Sequence, residues 1–301
     1  MTVTGKKTSL IVGMGIGQLY KQVLLELGHE VVTVDSNIAK NADFPDIKSA
    51  LFSRVKFDTV HICTPNWTHI ELATILAPFS GIIFIEKPGV RTSKEWINLA
   101  YAFPMTRFMM VKNNMWRNNI KEFQDRAANA NTIKLNWINK DRIPSPGSWF
   151  TNKKLAFGGV SRDLMPHLLS LFIALNPSNY KRLLISNKSS ATNWSLENLN
   201  STEYGSVDKN GVYDVDDLCQ ISFKDGDKSW ELTANWKSDN EDDRAIHFNT
   251  DQLTFSIELG LCPEDAYKRM IQDAIEHFYD ADFWKTQLEY DSWIHERMEE
   301  F

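Results

Sequence analysis

Over the first third of the chain, short apolar runs alternate with stretches of helical spacing. "TSLIVG" (8–13), "EVVTVD" (30–35), "FDTVHIC" (57–63), "GIIFIE" (81–86) and "TRFMMV" (106–111) are brief and mostly apolar, the pattern of strands buried on both faces. Between them, "GQLYKQVLLELG" (17–28), "THIELATILA" (68–77) and "TSKEWINLAYA" (92–102) repeat apolar residues at helical intervals, with Thr68 and Ser93 placed as N-caps. This alternation predicts a parallel sheet covered on both faces. After about residue 115 the pattern changes. "TIKLNWI" (132–138), "KRLLIS" (181–186), "DDLCQISF" (216–223), "KSWELTANW" (228–236) and "QLTFSIEL" (252–259) predict an antiparallel sheet. A helix, "SRDLMPHLLSLFIAL" (161–175), interrupts it, and helical patterns close the chain from Pro263 onward. The Asn-, Ser- and Gly-rich segment 187–213 reads as a long loop.

Composition narrows the function classes. A chain of 301 residues is long enough for one large or two ordinary domains. A net charge of −6 argues against a nucleic-acid surface, which favours a basic stripe. Cys63, Cys219 and Cys262 lie far apart and form no CxxC pair, which gives no metal signature and fits a reducing compartment. "MTVTGKKTSL" has no signal-peptide core, and no stretch approaches the ~20 apolar residues of a membrane span. The expectation is a soluble, cytoplasmic protein without membrane contact.

The chemistry starts at "GMGIGQLY" (13–20), directly after the first strand. A glycine-rich turn between strand and helix lets a pyrophosphate approach backbone N–H groups at the helix N-terminus. Gly13, Gly15, Ile16 and Gly17 form that turn, one residue shorter than GxGxxG. Asp35 ends the second strand about twenty residues later, where a carboxylate accepts hydrogen bonds from a ribose diol. An acid there repels a 2′-phosphate, so NAD is favoured; Ser36 and Asn37 keep NADP open. The expected fold class is therefore α/β. Residues 1–115 form a Rossmann dinucleotide-binding domain, and residues 116–301 an α+β domain with an open, mainly antiparallel sheet. Two more strand ends carry polar groups: "CTPNWTH" (63–69), with Thr64, Pro65, Asn66 and His69, and "EKP" (86–88) after the fourth apolar run. Taken alone, the first is a plain turn and the second a surface ion pair. At two strand ends of one sheet they converge on the crevice where such sheets bind ligands.

With "GGVSRDLMPH" (158–167) and the closing "PEDAYKRMIQDAI" (263–275), these motifs resemble the glucose–fructose oxidoreductase, inositol dehydrogenase and rhizopine-catabolism family (Gfo/Idh/MocA) over nearly the whole chain. The resemblance implies hydride transfer between a nicotinamide and a carbon bearing a hydroxyl or keto group on a sugar or polyol. It implies Lys87 as the active-site lysine, Glu86 near the nicotinamide ribose, Asp163 and His167 completing the catalytic set, and Asn114 near cofactor or substrate. His167 would serve as general base and Lys87 would stabilise the oxyanion, or the two roles would be exchanged. Asp163 and His167, four apart, are expected on one face of one helix. The chain departs from the family pattern at the short glycine turn, at Met115 where an arginine is common (with Arg117 close by), at Trp149–Phe150, and at Pro166 before His167. The alternatives are an imine reductase of the same family and a non-catalytic dinucleotide-binding regulator. An uncovered sheet face rich in Trp and β-branched residues is further expected to drive a homodimer or homotetramer.

Overall fold

The computed structural model describes residues 6–54, 56–203, 205–260 and 264–301. Cys262 and Pro263, the predicted start of the closing helices, lie outside them. The chain sorts into two units: Met1–Val111 with Pro263–Ser292, and Lys112–Cys262 with Trp293–Phe301.

In the first unit the apolar runs become β1 (Thr8–Val12), β2 (Glu30–Val34), β3 (Phe57–Ile62), β4 (Ser80–Ile85) and β5 (Arg107–Met110). They pair in parallel in the order β2-β1-β3-β4-β5. Leu10, Ile11, Val60, Ile62 and Ile82–Ile85 are buried on both faces, which is why these runs do not alternate. The strand order reverses between β1 and β3, opening a crevice at their carboxyl ends. The covering helices are α1 (Gly17–Glu26), α2 (Ile47–Ser53), α3 (His69–Leu76) and α4 (Ser93–Ala102). The cap of α4 is Thr92 rather than the predicted Ser93. Its hydroxyl accepts from Glu95 N while the Glu95 carboxylate accepts from Thr92 N, a reciprocal capping box. Thr68 stands at the start of α3, but its hydroxyl donates to the Pro65 carbonyl and caps nothing.

The second unit contains α5 (Ile120–Ala128), β6 (Thr132–Ile138), α6 (Lys153–Ala156), α7 (Val160–Asp163), α8 (Met165–Leu175), β7 (Leu184–Ala191), a short pair β8 (Ser201–Thr202) and β9 (Gly205–Ser206), β10 (Leu218–Asp225), β11 (Lys228–Asn235), β12 (Asp243–Asn249) and β13 (Thr254–Glu258). Its main sheet runs β13-β12-β6-β11-β10-β7. β6 pairs in parallel with β11, and the pairs β12–β6, β12–β13, β10–β11 and β10–β7 are antiparallel. The strand predicted at 181–186 begins at Leu184, because 180–182 close a 3₁₀ turn that buries Tyr180 against Trp293. β12 was not predicted: "DRAIHFN" carries only two inward apolar residues, Ile246 and Phe248, while buried Ala245 shares the outer face with Asp243 and His247. The chain closes with α9 (Glu264–Glu276) in the first unit and α10 (Ala281–Met298); Tyr267 of α9 meets Tyr20 of α1 edge-on at 5.4 Å.

The predicted single helix 161–175 is two helices. Pro166 has no N–H to offer the carbonyl four residues back, and its ring crowds that turn, so α7 stops and α8 starts anew. Asp163 therefore ends one helix, and His167 stands in the first turn of the next. Below α8, the rings of Phe172, Phe223, Trp230 and Trp293 form a core cluster with centroids 4.6–5.6 Å from Phe172. The opposite sheet face corrects the expected apolar patch. Trp137 and Trp230 point to the covered side, and the outer face carries Lys134–Glu231 at 2.9 Å, Asn136 donating to Asp243 at 2.7 Å, and His247 between Ser256 and Asp243. Alternation along β6 and β11 assigns the indoles inward and the charges outward.

Candidate active site

In the first unit, the predicted residues gather at the carboxyl ends of β1 to β4. Gly13 has φ +93, and a Cβ there would lie 2.6 Å from the Cys63 carbonyl oxygen, so only glycine fits. Gly15 is exposed, and a Cβ added to it would meet nothing within 4 Å. Ile16 precedes α1 as an N-cap without a side-chain cap bond, and Gly17 begins the helix. The turn is short but held. The Asp35 carboxylate accepts from Met14 N at 2.7 Å and from Asn37 N at 2.8 Å, tying the glycine turn to the end of β2. Asp35 is thus a latch for the turn as well as the predicted ribose acceptor.

At the end of β3, Thr64 bonds Thr68 side chain to side chain at 2.6 Å, while Pro65 and Asn66 lead into a 3₁₀ turn. His69 lies beneath this surface, fully buried. Its Nδ1 is 2.7 Å from the Gly89 carbonyl and its Nε2 2.8 Å from the Thr64 carbonyl, so the ring joins the loops that follow β3 and β4. Burial lowers its pKa against the pull of the two carbonyls, and the Lys87 charge adds to the lowering. At the end of β4, Glu86 Oε1 accepts from the Tyr20 hydroxyl at 2.6 Å, and Oε2 from Lys87 N at 3.2 Å. The Lys87–Pro88 bond is cis, and Gly89 has φ +78. Burial, and then the Glu86 charge, push the Tyr20 phenol well above its ordinary range, so it stays a donor. Tyr20 counts as one more apolar position in the helical pattern of α1, and nothing in the sequence singled it out.

In the second unit, Gly159 sets the start of α7. Val160 N donates to the Asp216 carbonyl at 2.8 Å, and a Cβ on Gly159 would lie 1.8 Å from that same oxygen. The Asp216 carboxylate accepts from Gly159 N, Ser161 N and the Ser161 hydroxyl, all within 2.8–2.9 Å. Asp217 beside it is fully buried and accepts from Asn193 N and Trp194 N. Gly159→Ala should therefore push α7 off its seat. We expect a loss of about 3 kcal/mol, the upper part of the overpacking range, visible as an earlier unfolding transition in calorimetry; an unchanged transition would contradict the interlock.

The α7–α8 break aims two side chains whose partners the sequence did not reveal. Asp163 Oδ2 accepts from Trp236 Nε1 at 2.8 Å. The His167 ring stacks on Trp137 at 5.1 Å and 22°, with Nδ1 3.1 Å from Asn114 Nδ2. Asn114 lies in a 3₁₀ turn (Asn113–Trp116), and its Oδ1 accepts from Arg117 Nε at 2.8 Å. The structure thus brings Asn114 to His167, and Asp163 to an indole.

No family model matches the chain. A protein of Amycolatopsis mediterranei named as the oxidoreductase subunit of a UDP-kanosamine synthase is 28% identical over 142 residues, which is 45% of this chain and 39% of that protein. The likeness therefore spans less than half of that relative's length. Among solved structures, GenD2 from gentamicin A biosynthesis, in complex with NAD, superposes with a TM-score of 0.77 at 14% identity, covering 99% of this chain and 94% of that one. Levoglucosan dehydrogenase with NADH and levoglucosan gives 0.69 at 16% identity, covering 98% and 97%. A myo-inositol dehydrogenase from Corynebacterium glutamicum gives 0.70 at 15% identity, covering 98% and 95%. At these identities the likeness is one of fold: this chain has the architecture of Rossmann-type dehydrogenases. Among the described residues, no helix is long and apolar enough to cross a membrane.

Proposed function

We propose that this chain is a Gfo/Idh/MocA-family oxidoreductase that uses NAD to move a hydride between nicotinamide and the carbinol or keto carbon of a sugar, polyol or sugar derivative. The observation that carries the reading is the cradle at the end of β1. Gly15 opens onto free space, α1 begins without a side-chain cap, and Asp35 latches the turn. These groups fit a dinucleotide: uncapped N–H groups suit a pyrophosphate, and the Asp35 oxygens suit a ribose diol. Thr64, Pro65, Asn66, Ile16, Glu86 and Asn114 are proposed as further cofactor contacts. His69 would support that surface from below. The names of the solved neighbours, GenD2, levoglucosan dehydrogenase and inositol dehydrogenase, support a sugar-like substrate.

The nicotinamide, when bound, supplies or accepts the hydride. The chain's own residues do the rest. Lys87 and His167 divide proton exchange and stabilisation of charge on the substrate oxygen, and Asp163, its Oδ2 held by Trp236, orients the substrate. The test is NADH and NADPH binding by fluorescence, followed by turnover against a panel of sugars, polyols and imines. Binding with sugar-dependent oxidation or reduction supports the reading. Turnover confined to imines makes the chain an imine reductase, and NADH binding without any turnover makes it a regulator.

A cytoplasmic setting fits the two described cysteines, Cys63 and Cys219, which are both free thiols. We propose assembly as a homodimer or homotetramer through the outer face of the second sheet. Light scattering should show two or four times 34.6 kDa. A monomer at micromolar concentration and low salt would remove the assembly.

A further inference from the structure

We propose that Arg117 and Asn114 are positioning residues that set the tautomer of His167: its neutral ring carries the proton on Nε2 and accepts at Nδ1. One group in this chain of contacts has no choice of role. A guanidinium has only donors, and Arg117 Nε lies 2.8 Å from one terminal atom of the Asn114 amide. That atom must be the oxygen. The other terminal atom, 3.1 Å from His167 Nδ1, is then the NH2 group, which can only donate. Nδ1 must therefore accept, which leaves the ring proton to Nε2.

The relay is built to hold its direction. Arg117 Nη1 donates to the Leu259 carbonyl at 2.6 Å, just past the end of β13, so the guanidinium cannot swing away without losing a second bond. Asn114 is fully buried and Arg117 is 8% exposed. Turning the amide over would face donor with donor and acceptor with acceptor, out of reach of water, at the full penalty of unsatisfied buried groups. The stack on Trp137 fixes the plane of the imidazole, so the ring does not escape by rotating. The family resemblance implies Asn114 near cofactor or substrate; the structure gives its amide a partner on each side within the protein.

On the oxidoreductase reading proposed above, on which this consequence rests, His167 offers an N–H to the substrate oxygen and cannot take up a proton at Nε2 as a base while it keeps the Asn114 bond. Proton exchange then falls to Lys87. In reduction, the reduced nicotinamide, when bound, would supply the hydride to the carbonyl carbon and be left oxidised, and the Lys87 ammonium would give the substrate oxygen a proton and become the amine. Oxidation is the reverse.

The test reads the tautomer and does not need turnover. The protein is labelled with 15N in the histidine rings, and long-range 15N–1H correlations are recorded at a pH where the ring is neutral; His167→Gln assigns the signals. In the parent, His167 Nδ1 should resonate as the unprotonated nitrogen and Nε2 as the protonated one. Arg117→Met removes the fixed donor while keeping the stem, and should give a mixture of tautomers. Arg117→Lys, which retains a donor, should restore most of the Nε2–H form. Asn114→Asp replaces the donor with an acceptor and should move the proton to Nδ1. A parent ring protonated on Nδ1, or an Arg117→Met variant with an unchanged pure Nε2–H ring, overturns the relay. Should Arg117→Met fail to fold, the parent and Asn114→Asp spectra decide the matter. Failure of the oxidoreductase reading would show separately, as absent turnover with the tautomer intact.

Discussion

Lys87→Ala should lower turnover with a sugar or polyol substrate by about 10²–10⁴-fold, the range for a lost acid–base or charge-stabilising group. NADH affinity should change far less, because the glycine turn, the Asp35 latch and the uncapped start of α1 lie on other elements. His167→Ala should fall in the same range. His167→Gln makes the sharper comparison: if the ring serves as an N–H donor, a glutamine amide should recover part of the lost rate, whereas a lost base would leave it no better than alanine. The double variant Lys87→Ala/His167→Ala should lose less than the product of the single losses if both groups serve one oxygen. Steady-state kinetics together with NADH titration separate these outcomes. Turnover that survives both single substitutions would show that the chemistry lies elsewhere.

Asp35→Ala should weaken NADH binding by about 10–100-fold, the equivalent of losing hydrogen bonds to a charged acceptor. The parent should bind NADH more tightly than NADPH, and the substitution should narrow that gap. Two effects are folded together, since the carboxylate faces the expected ribose and also holds Met14 N and Asn37 N. Asp35→Asn separates them: its amide oxygen can still accept from Met14 N, so the turn stays latched while the repulsion toward a 2′-phosphate is gone. We expect Asp35→Asn to lose discrimination between the cofactors with a smaller loss of NADH affinity than alanine. Fluorescence titration with both nucleotides tests this, and equal or tighter NADPH binding by the parent would overturn the assignment.

The parallel sheet was legible because a strand buried on both faces must be apolar throughout, and β1, β3 and β4 are nearly so. The second sheet was less legible. β12 carries Asp243, His247 and Asn249 outward and Arg244 on the covered face, which leaves too few apolar positions to register, and the pairing of β6 with β11 in parallel depends on contacts across 97 residues. The tryptophans were misassigned because alternation says which residues share a face but not which face is covered. At the site, Lys87 and Asp35 stood out as polar groups where apolar strands end, and Asp163 and His167 through the family resemblance. Tyr20, Trp236 and Asp216 did not, since each becomes meaningful only through a partner far along the chain: Glu86, Asp163 and Gly159 respectively. Arg117 was noticed only as a near neighbour of a missing arginine, and its hold on Asn114 depends on the 3₁₀ turn that brings them together.

The two indoles against Asp163 and His167 also give this half of the candidate site fluorescent reporters. Trp236 donates its N–H to the carboxylate, and Trp137 lies face to face with the imidazole. Indole emission responds to the charge and hydrogen bonding around the ring, so a substrate that displaces solvent from Asp163 or polarises His167 is written directly into the fluorescence of these two residues. Trp236→Phe and Trp137→Phe difference spectra would isolate their signals from those of the other tryptophans. Substrate screening can then proceed by titration, without a coupled assay and before any reaction has been found.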